Sequence, residues 1–136
     1  MYTLVSDFGV VVLIWMVQLI IYPGLLYYNE NDLNKWHDKY TTLMSYVVLP
    51  LMILQLLLHC YDFWTHRDLI NAIMLALVGA VWIITLTMAV PLHGNVASKK
   101  YIRQSLEKLI GVNWYRTVLW TLVFILNVLF QEHIIR

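Results

Sequence analysis

Four long apolar stretches alternate with short polar connections along the chain. Each apolar stretch is long enough to cross the hydrocarbon core of a bilayer, which takes about 20 helical residues. The pattern predicts helices over about residues 3–22, 32–60, 69–91 and 113–131. We therefore predict an all-α fold, an integral membrane four-helix up-and-down bundle, formed by residues 1–136 as a single transmembrane domain.

The third connection carries an amphipathic pattern of its own. Ile102, Leu106 and Leu109 fall on one side at helical spacing, and basic residues occupy most of the rest. Such a pattern is typical of a helix lying on the membrane surface. We predict a short interfacial helix over about residues 97–110, closed by Gly111.

The second apolar stretch places polar residues on one helical face. His37, Thr41 and Gln55 share this face, and His37 and Gln55 are five helical turns apart. A glutamine deep in lipid is costly unless it contacts other protein, so this face is expected to look into the bundle. Asp7, near the start of the first stretch, is interpreted as reaching water.

Composition supports the membrane assignment. The chain has 136 residues, of which 61% are hydrophobic and 12% charged, with a mean hydropathy of +0.69. A soluble domain carries roughly a quarter charged residues, so lipid is the expected partner of this surface. The net charge of +1 argues against a nucleic-acid partner. Assembly as a homo-oligomer or within a larger membrane complex stays open.

Basic residues are distributed unevenly about the four stretches. Six of the nine Lys and Arg residues lie in or beside the first and third connections, whereas Arg67 and Arg136 lie on the opposite side. The positive-inside bias therefore predicts cytoplasmic first and third connections, with both termini outside.

The up-and-down topology brings polar residues from every helix to the level of the first and third connections. In helix bundles, ligand and metal sites are built from such inward side chains. The alternative is that these residues only meet headgroups, water or a neighbouring helix. The candidates at this level, with one residue a turn deeper, are Gln18, Tyr22, His37, Tyr40, His93, Asn113, Trp114 and Arg116.

Three motifs carry a resemblance to known proteins: WHDKYTTLMSYVVLPLMILQ, AVPLHG and NWYRTVLW. They resemble a family of small, largely uncharacterised bacterial four-helix membrane proteins, and this resemblance implies a bacterial inner membrane. More distantly, they are similar to the domain-of-unknown-function family that includes anthrone oxygenase. The resemblance implies a His-x-x-His motif followed by an acid, and these positions are held here by His37, Tyr40 and Gln55. It also implies roles for His93 and for Asn113, Trp114 and Arg116.

The first functional hypothesis is redox or oxygenase-type chemistry on an apolar aromatic or quinone-like molecule. His37 and His93 would act as bases or metal ligands, Tyr40 as a phenolic partner and Arg116 as the group that stabilises an oxyanion. The ligand-binding candidates are Gln18, Tyr22, Gln55, Trp82, Asn113, Trp114 and Trp120.

Two other classes of function remain open. One is a b-type electron carrier with haem, or a site with a transition metal, held between His37 and His93. The other is a non-enzymatic accessory or lipid-binding subunit of a membrane complex, in which the polar interior is structural.

Overall fold

A computed structural model describes residues 2–134 of the chain, and the side chains of residues 2–130. Four helices account for nearly all of it, and the described part contains no strand. They are α1 (Tyr2–Leu25), α2 (Glu30–His66), α3 (Leu69–Ala97) and α4 (Ile102–Ile134). All four are long and apolar enough to cross a membrane. The predicted all-α four-helix bundle is confirmed, and the chain is an integral membrane protein surrounded by lipid.

Local signals set the ends of α2 and the start of α3. The side chain of Asn29 accepts a hydrogen bond from the Asp32 amide at 2.9 Å, which caps the first turn of α2. Arg67 ends α2 in the left-handed conformation, with φ of 50°. Asp68 then accepts from the Asn71 amide at 2.7 Å and starts α3. These caps leave only a sharp turn between the two helices.

The predicted interfacial helix is not a separate element. Its residues from Ile102 onward form the first turns of α4, and the predicted end at Gly111 is wrong because this glycine lies inside the helix. A glycine within a helix costs roughly 1 kcal/mol relative to alanine. Burial of Leu106 and Leu109 on the bundle side of the same helix outweighs that cost.

The four helices form a ring in which each packs against its neighbours in sequence and α1 also packs against α4. Short connections make neighbouring helices antiparallel, so α1 and α3 run in one direction and α2 and α4 in the other. Side chains such as Val10, Met52, Val81 and Val123 are almost fully buried at the centre. The end of α1, the start of α2, the end of α3 and the start of α4 therefore share one membrane level, as the topology predicts.

Two wide turns distort α1 and α3 at matching positions. Residues Val17–Ile21 and Thr85–Ala89 adopt π-helical geometry, and a proline follows shortly after each, at Pro23 and Pro91. Proline lacks an amide hydrogen and disturbs the helical ladder around it. In both helices the residue before the proline donates its amide to the first residue of the wide turn. Single π turns of this kind occur frequently at functional sites.

Candidate functional site

A cavity of about 260 Å³ lies inside the bundle, in the half nearer the first and third connections. All four helices contribute to its wall, which is mainly apolar. Its titratable groups come from α1, α2, α3 and α4, one from each helix. The lining residues are Leu13, Ile14, Val17, Tyr22, Tyr40, Thr41, Met44, Ser45, Val48, Leu49, Met52, Thr85, Ala89, Val90, His93, Arg116 and Trp120.

The three prolines of the chain are all next to this cavity. Tyr22, Leu49 and Val90 each precede a proline, and all three line the wall. A proline within a helix removes one backbone hydrogen bond and bends the axis. Each of these three helices therefore lacks one backbone hydrogen bond beside the same space, and α1 and α3 also contain a π turn there.

Tyr22, His93 and His37 form a continuous hydrogen-bonded row from the cavity. The Tyr22 hydroxyl oxygen lies 3.0 Å from His93 Nε2, and His93 Nδ1 lies 3.0 Å from His37 Nε2. The structure thus brings together the two predicted histidines and the predicted tyrosine. Tyr40, the other predicted phenol, has its ring centre within 6.5 Å of both imidazole centres and also lines the cavity.

Two opposite proton arrangements satisfy the contacts in this row, because each imidazole can donate from either nitrogen. In one of them, Tyr22 donates its hydroxyl proton to His93 Nε2, and His93 donates its Nδ1 proton to His37 Nε2. His37 Nδ1 is then the remaining donor, and no described side chain or backbone group accepts from it. Tyr22 faces the cavity, whereas His37 is buried and does not line it. The row therefore runs from Tyr22 at the cavity to His37, which lies away from the cavity.

The contribution of this row to stability is testable with Tyr22→Phe. This substitution removes one hydroxyl and leaves His93 Nε2 without its hydrogen-bond partner, so we expect a loss of about 1 to 2 kcal/mol in the free energy of unfolding. Denaturant unfolding in detergent, followed by circular dichroism, measures it. Tyr46→Phe on the outside of α2 is the matched control, because Tyr46 is 72% exposed. Equal stability of the two variants would contradict the contact.

A second row of hydrogen bonds joins α1 to α4 beside the cavity. Asn113 Nδ2 donates to Gln18 Oε1 at 2.9 Å, and Arg116 Nη1 donates to Asn113 Oδ1 at 3.1 Å. The Arg116 guanidinium also lies over the Trp120 ring, 5.0 Å from its centre. Gln18, Asn113, Arg116 and Trp120 were all predicted site residues, and the structure places them in one group.

Arg116 has no acidic partner among the side chains that the structure describes. The two ion pairs found in residues 2–130 are His59 with Asp7 and Arg103 with Glu107. Arg116 is only 5% exposed, and its Nε has no acceptor within that range. Buried charges in proteins are normally paired, and those within membranes face the bundle interior and mark binding sites. Here the unpaired cation is part of the cavity wall.

A separate polar cluster occupies the opposite end of the bundle. Asp7 is fully buried, and its carboxylate accepts hydrogen bonds from His59 at 3.0 Å, from Gln55 at 2.7 Å and from Asn127 at 2.7 Å. The expectation that Asp7 reaches water is wrong. The cluster ties α1, α2 and α4 together about 22 Å along α1 from Tyr22, at 1.5 Å per residue.

Gln55 belongs to this distant cluster and does not line the cavity. Its predicted orientation toward the bundle interior is correct, but its partners differ from those expected. Its amide nitrogen donates to Asp7, and its amide oxygen accepts from Trp120 Nε1 at 2.7 Å. Gln55 therefore fixes the indole that supports Arg116, so the cluster contributes indirectly to the shape of the cavity.

Five of the seven predicted ligand-binding residues do not line the cavity: Gln18, Gln55, Trp82, Asn113 and Trp114. Trp114 is 44% exposed and packs edge-to-face on Trp15 at the outer surface. Trp82 packs beside the apolar core of the bundle and does not line the cavity. His59 and Asn127, in contrast, are buried polar residues that the sequence reasoning did not identify as partners of Asp7. The detectable signal was that His59 follows Gln55 by one helical turn.

The observed histidine geometry does not fit a haem held between His37 and His93. Axial ligands stand on opposite faces of a porphyrin, so their nitrogens cannot bond to each other. The facing nitrogens here are 3.0 Å apart. Two ligands of one tetrahedral metal ion, each at about 2.0 to 2.1 Å, would lie roughly 3.3 Å apart. That spacing is close, but residues 2–130 provide no group of three His, Cys, Asp or Glu side chains around one point.

Comparison of the chain with protein-family models, with curated proteins and with solved structures gives no significant match. The resemblance drawn from the three sequence motifs therefore stays a prediction. The functional argument rests on the geometry of the cavity and its lining groups.

Proposed function

We propose that this membrane protein binds an apolar molecule with an aromatic or quinone-like head and transfers a proton at an oxygen of that head. The cavity offers an apolar wall for the ring and a polar end formed by Tyr22, Tyr40, His93 and Arg116. Binding sites for small molecules typically combine a mainly apolar wall with a few convergent polar groups.

The observation that carries this proposal is the buried cation at Arg116, which has no acidic partner among the side chains of residues 2–130. A guanidinium held in a low-dielectric interior without a counter-ion is costly. A ligand oxygen that carries or develops negative charge would supply the missing partner. Stabilisation of a developing oxyanion by a fixed cation is a large catalytic effect when water is excluded. A phenol, a quinol or an enolisable ketone has the required oxygen.

The row from Tyr22 to His37 provides a route for the proton that this oxygen releases. The ligand's proton passes to the Tyr22 oxygen, while the Tyr22 proton moves to His93 Nε2 and the His93 Nδ1 proton moves to His37 Nε2. The proton count balances, since His37 ends as the imidazolium. General-base catalysis through a positioned histidine contributes typically about 10² to 10⁴-fold.

An oxygenase version of the proposal needs an external oxidant. Deprotonation of the ligand gives an electron-rich anion, and dioxygen is the oxidant class that such an anion would reduce. The residues of the site supply the base and the cation, and the oxidant comes from solution. Proton transfer alone is therefore the step that the side chains of this chain account for.

The proposal is tested with a chromogenic phenol whose anion absorbs at longer wavelength than its neutral form. Binding to the wild-type protein in lipid nanodiscs is expected to increase the ionised fraction at neutral pH, because Arg116 stabilises the anion. His93→Phe removes the proton acceptor for Tyr22, and we expect the ionised fraction to fall by about tenfold. Absorption spectroscopy of the bound probe measures the effect.

The control for that experiment is His66→Phe, because His66 is exposed at the end of α2. It should leave the ionised fraction unchanged, and circular dichroism of both variants should show the same helix content. A probe that ionises equally in His93→Phe excludes the proton route. A probe that does not bind the wild-type protein favours the alternative of a non-enzymatic accessory or lipid-binding subunit.

The orientation of the bundle in the membrane determines on which side the proton is released. We propose that the first and third connections face the cytoplasm of a bacterial inner membrane, because six of the nine basic residues lie in or beside them. Arg136, one of the two opposing basic residues, lies outside the described residues. His37 is near the cytoplasmic end of α2 in this orientation, so protons released in the cavity leave on the cytoplasmic side.

A further inference from the structure

We infer that the ligand is an elongated amphiphile that enters the cavity sideways from the bilayer, through a slot between α2 and α3. In the bound state its oxygen-bearing ring meets Arg116 and its hydrocarbon tail lies in the slot. This inference rests on the proposed function and adds the class of molecule and its path.

The exposure of the cavity wall shows where it opens. Leu49 on α2 and Val90 on α3 are the two exposed lining residues, at 46% and 53%. On the opposite side, the lining residues of α4, Arg116 and Trp120, are buried, and so is nearly all of the α1 wall. The cavity is therefore closed toward α1 and α4 and reaches the surface between α2 and α3.

One wide turn lies on α3 at the level where α2 and α3 pack least closely. The π turn at Thr85–Ala89 lies opposite the stretch of α2 that lines the cavity, and both Leu49 and Val90 precede prolines. Thr41 and Ser45 of α2 and Thr85 of α3 are half-buried lining residues on the same two helices. The opening is therefore a slot between α2 and α3, whose sides carry hydroxyl groups as well as the two exposed apolar residues.

The dimensions of the cavity favour a ligand that has a ring as its head and a hydrocarbon chain attached to it. The lining residues of α2 run from Tyr40 to Met52, a distance of about 18 Å at 1.5 Å per residue. A cavity of about 150 Å³ holds one benzene ring, so a space of about 260 Å³ accepts a substituted ring and the first part of a chain. The polar groups lie toward the Tyr40 end, and the Met52 end is apolar.

The surface around the slot faces lipid. Leu86 on α3 and Ile53 on α2 are exposed apolar residues near its two sides, 58% and 47% exposed. An amphiphile dissolved in the bilayer thus reaches the slot without crossing water. A water-soluble ligand of the same head chemistry would have to cross the hydrocarbon region first. The path selects lipid-soluble molecules, such as a phenol or quinol with an alkyl or prenyl chain.

The test compares two radiolabelled benzoquinols, one with a decyl chain and one with a methyl group, bound to the protein in nanodiscs against empty nanodiscs. Leu49→Trp and Val90→Trp fill the slot from two different helices. Each is expected to weaken binding of the decyl probe by about tenfold, while binding of the methyl probe changes by less than about threefold. Wild-type protein is expected to bind the decyl probe more tightly than the methyl probe.

Ile53→Trp and Leu86→Trp are the matched controls, since both place the same side chain on the same helices outside the cavity wall. Neither should change the binding of either probe. If the slot variants weaken both probes equally, or neither, the lateral path is overturned while the binding site stands. If neither probe binds the wild-type protein, the proposed function itself fails. Tighter binding of decanoate than of the decyl quinol would contradict the inference that the head of the ligand is a ring.

Discussion

Replacement of Asp7 by alanine is expected to destabilise the protein by roughly 3 to 5 kcal/mol. The carboxylate is fully buried and accepts hydrogen bonds from Gln55, His59 and Asn127. Removal of the acceptor leaves three donors without partners in a region that water does not reach. Each such orphaned group costs about 1 to 3 kcal/mol. The substitution also removes hydrogen bonds that join three helices, because the donors lie on α2 and α4 and the carboxylate on α1.

The measurement is equilibrium unfolding in mixed micelles, followed by circular dichroism. Asp38→Ala, at an exposed position on α2, is the control and should change the free energy of unfolding by less than about 0.5 kcal/mol. Asp7→Asn keeps an acceptor oxygen, so we expect an intermediate loss. A variant Asp7→Ala that is as stable as Asp38→Ala would show that the cluster is not assembled as described.

The level of each helix end could be predicted from the sequence, and with it the shared level of His37 and His93. Apolar length sets where each helix crosses the membrane. Antiparallel connections then bring the end of α3 beside the start of α2. Both histidines lie close to these ends, so their shared level follows from the topology, whereas their contact at 3.0 Å depends on side-chain packing. Tyr22 and Arg116 follow by the same reasoning.

The partners of Gln55 could not be predicted from the face of the helix alone. His37 and Gln55 share a face, but 18 residues separate them by about 27 Å along the axis. A shared face therefore does not mean a shared site in so long a helix. Asp7 is near the start of α1, which is antiparallel to α2, and this places it beside the far part of α2. The depth of Gln55 along the helix, rather than the helical periodicity, determines which residues it contacts.

The positions of Trp82 and Trp114 depend on the rotation of a helix about its own axis. Nearly every residue in these helices is apolar, so hydrophobic periodicity does not separate the lipid-facing side from the bundle side. Trp114 lies one position after Asn113, which is buried, yet Trp114 itself is 44% exposed. A polar partner reveals the inner face more reliably here than an aromatic ring does.

The break predicted at Gly111 has a similar cause. Glycine predicts a helix end in water, where the helix has little else to stabilise it. In α4, Leu109 and Val112 on either side of the glycine are buried against the bundle. Packing of these side chains continues the helix through the glycine. The amphipathic pattern was detected correctly, but its apolar side faces protein.

Replacement of Arg116 by glutamine is expected to have opposite effects on binding and on stability. The affinity for an anionic ring probe, such as the ionised phenol, should fall by about 100-fold, since loss of one partner of a buried charge pair costs roughly 3 kcal/mol. Without ligand, the free energy of unfolding should stay the same or rise, because the variant no longer buries a cation that lacks an acidic partner within the described side chains. Substitution of a residue that only stabilised the fold would lower both the affinity for the probe and the free energy of unfolding.

Equilibrium binding and unfolding of the same nanodisc and micelle samples measure the two effects. Arg103→Gln is the matched control, because Arg103 is exposed at the start of α4 and should alter neither. Arg116→Lys keeps the charge but loses the planar group that lies over Trp120 and bonds Asn113, so intermediate affinity is expected. If Arg116→Gln binds the anion as tightly as the wild-type protein and unfolds more easily, the guanidinium is a structural group. The cavity would then have no fixed cation for an oxyanion, and proton transfer from a ligand would lose its electrostatic basis.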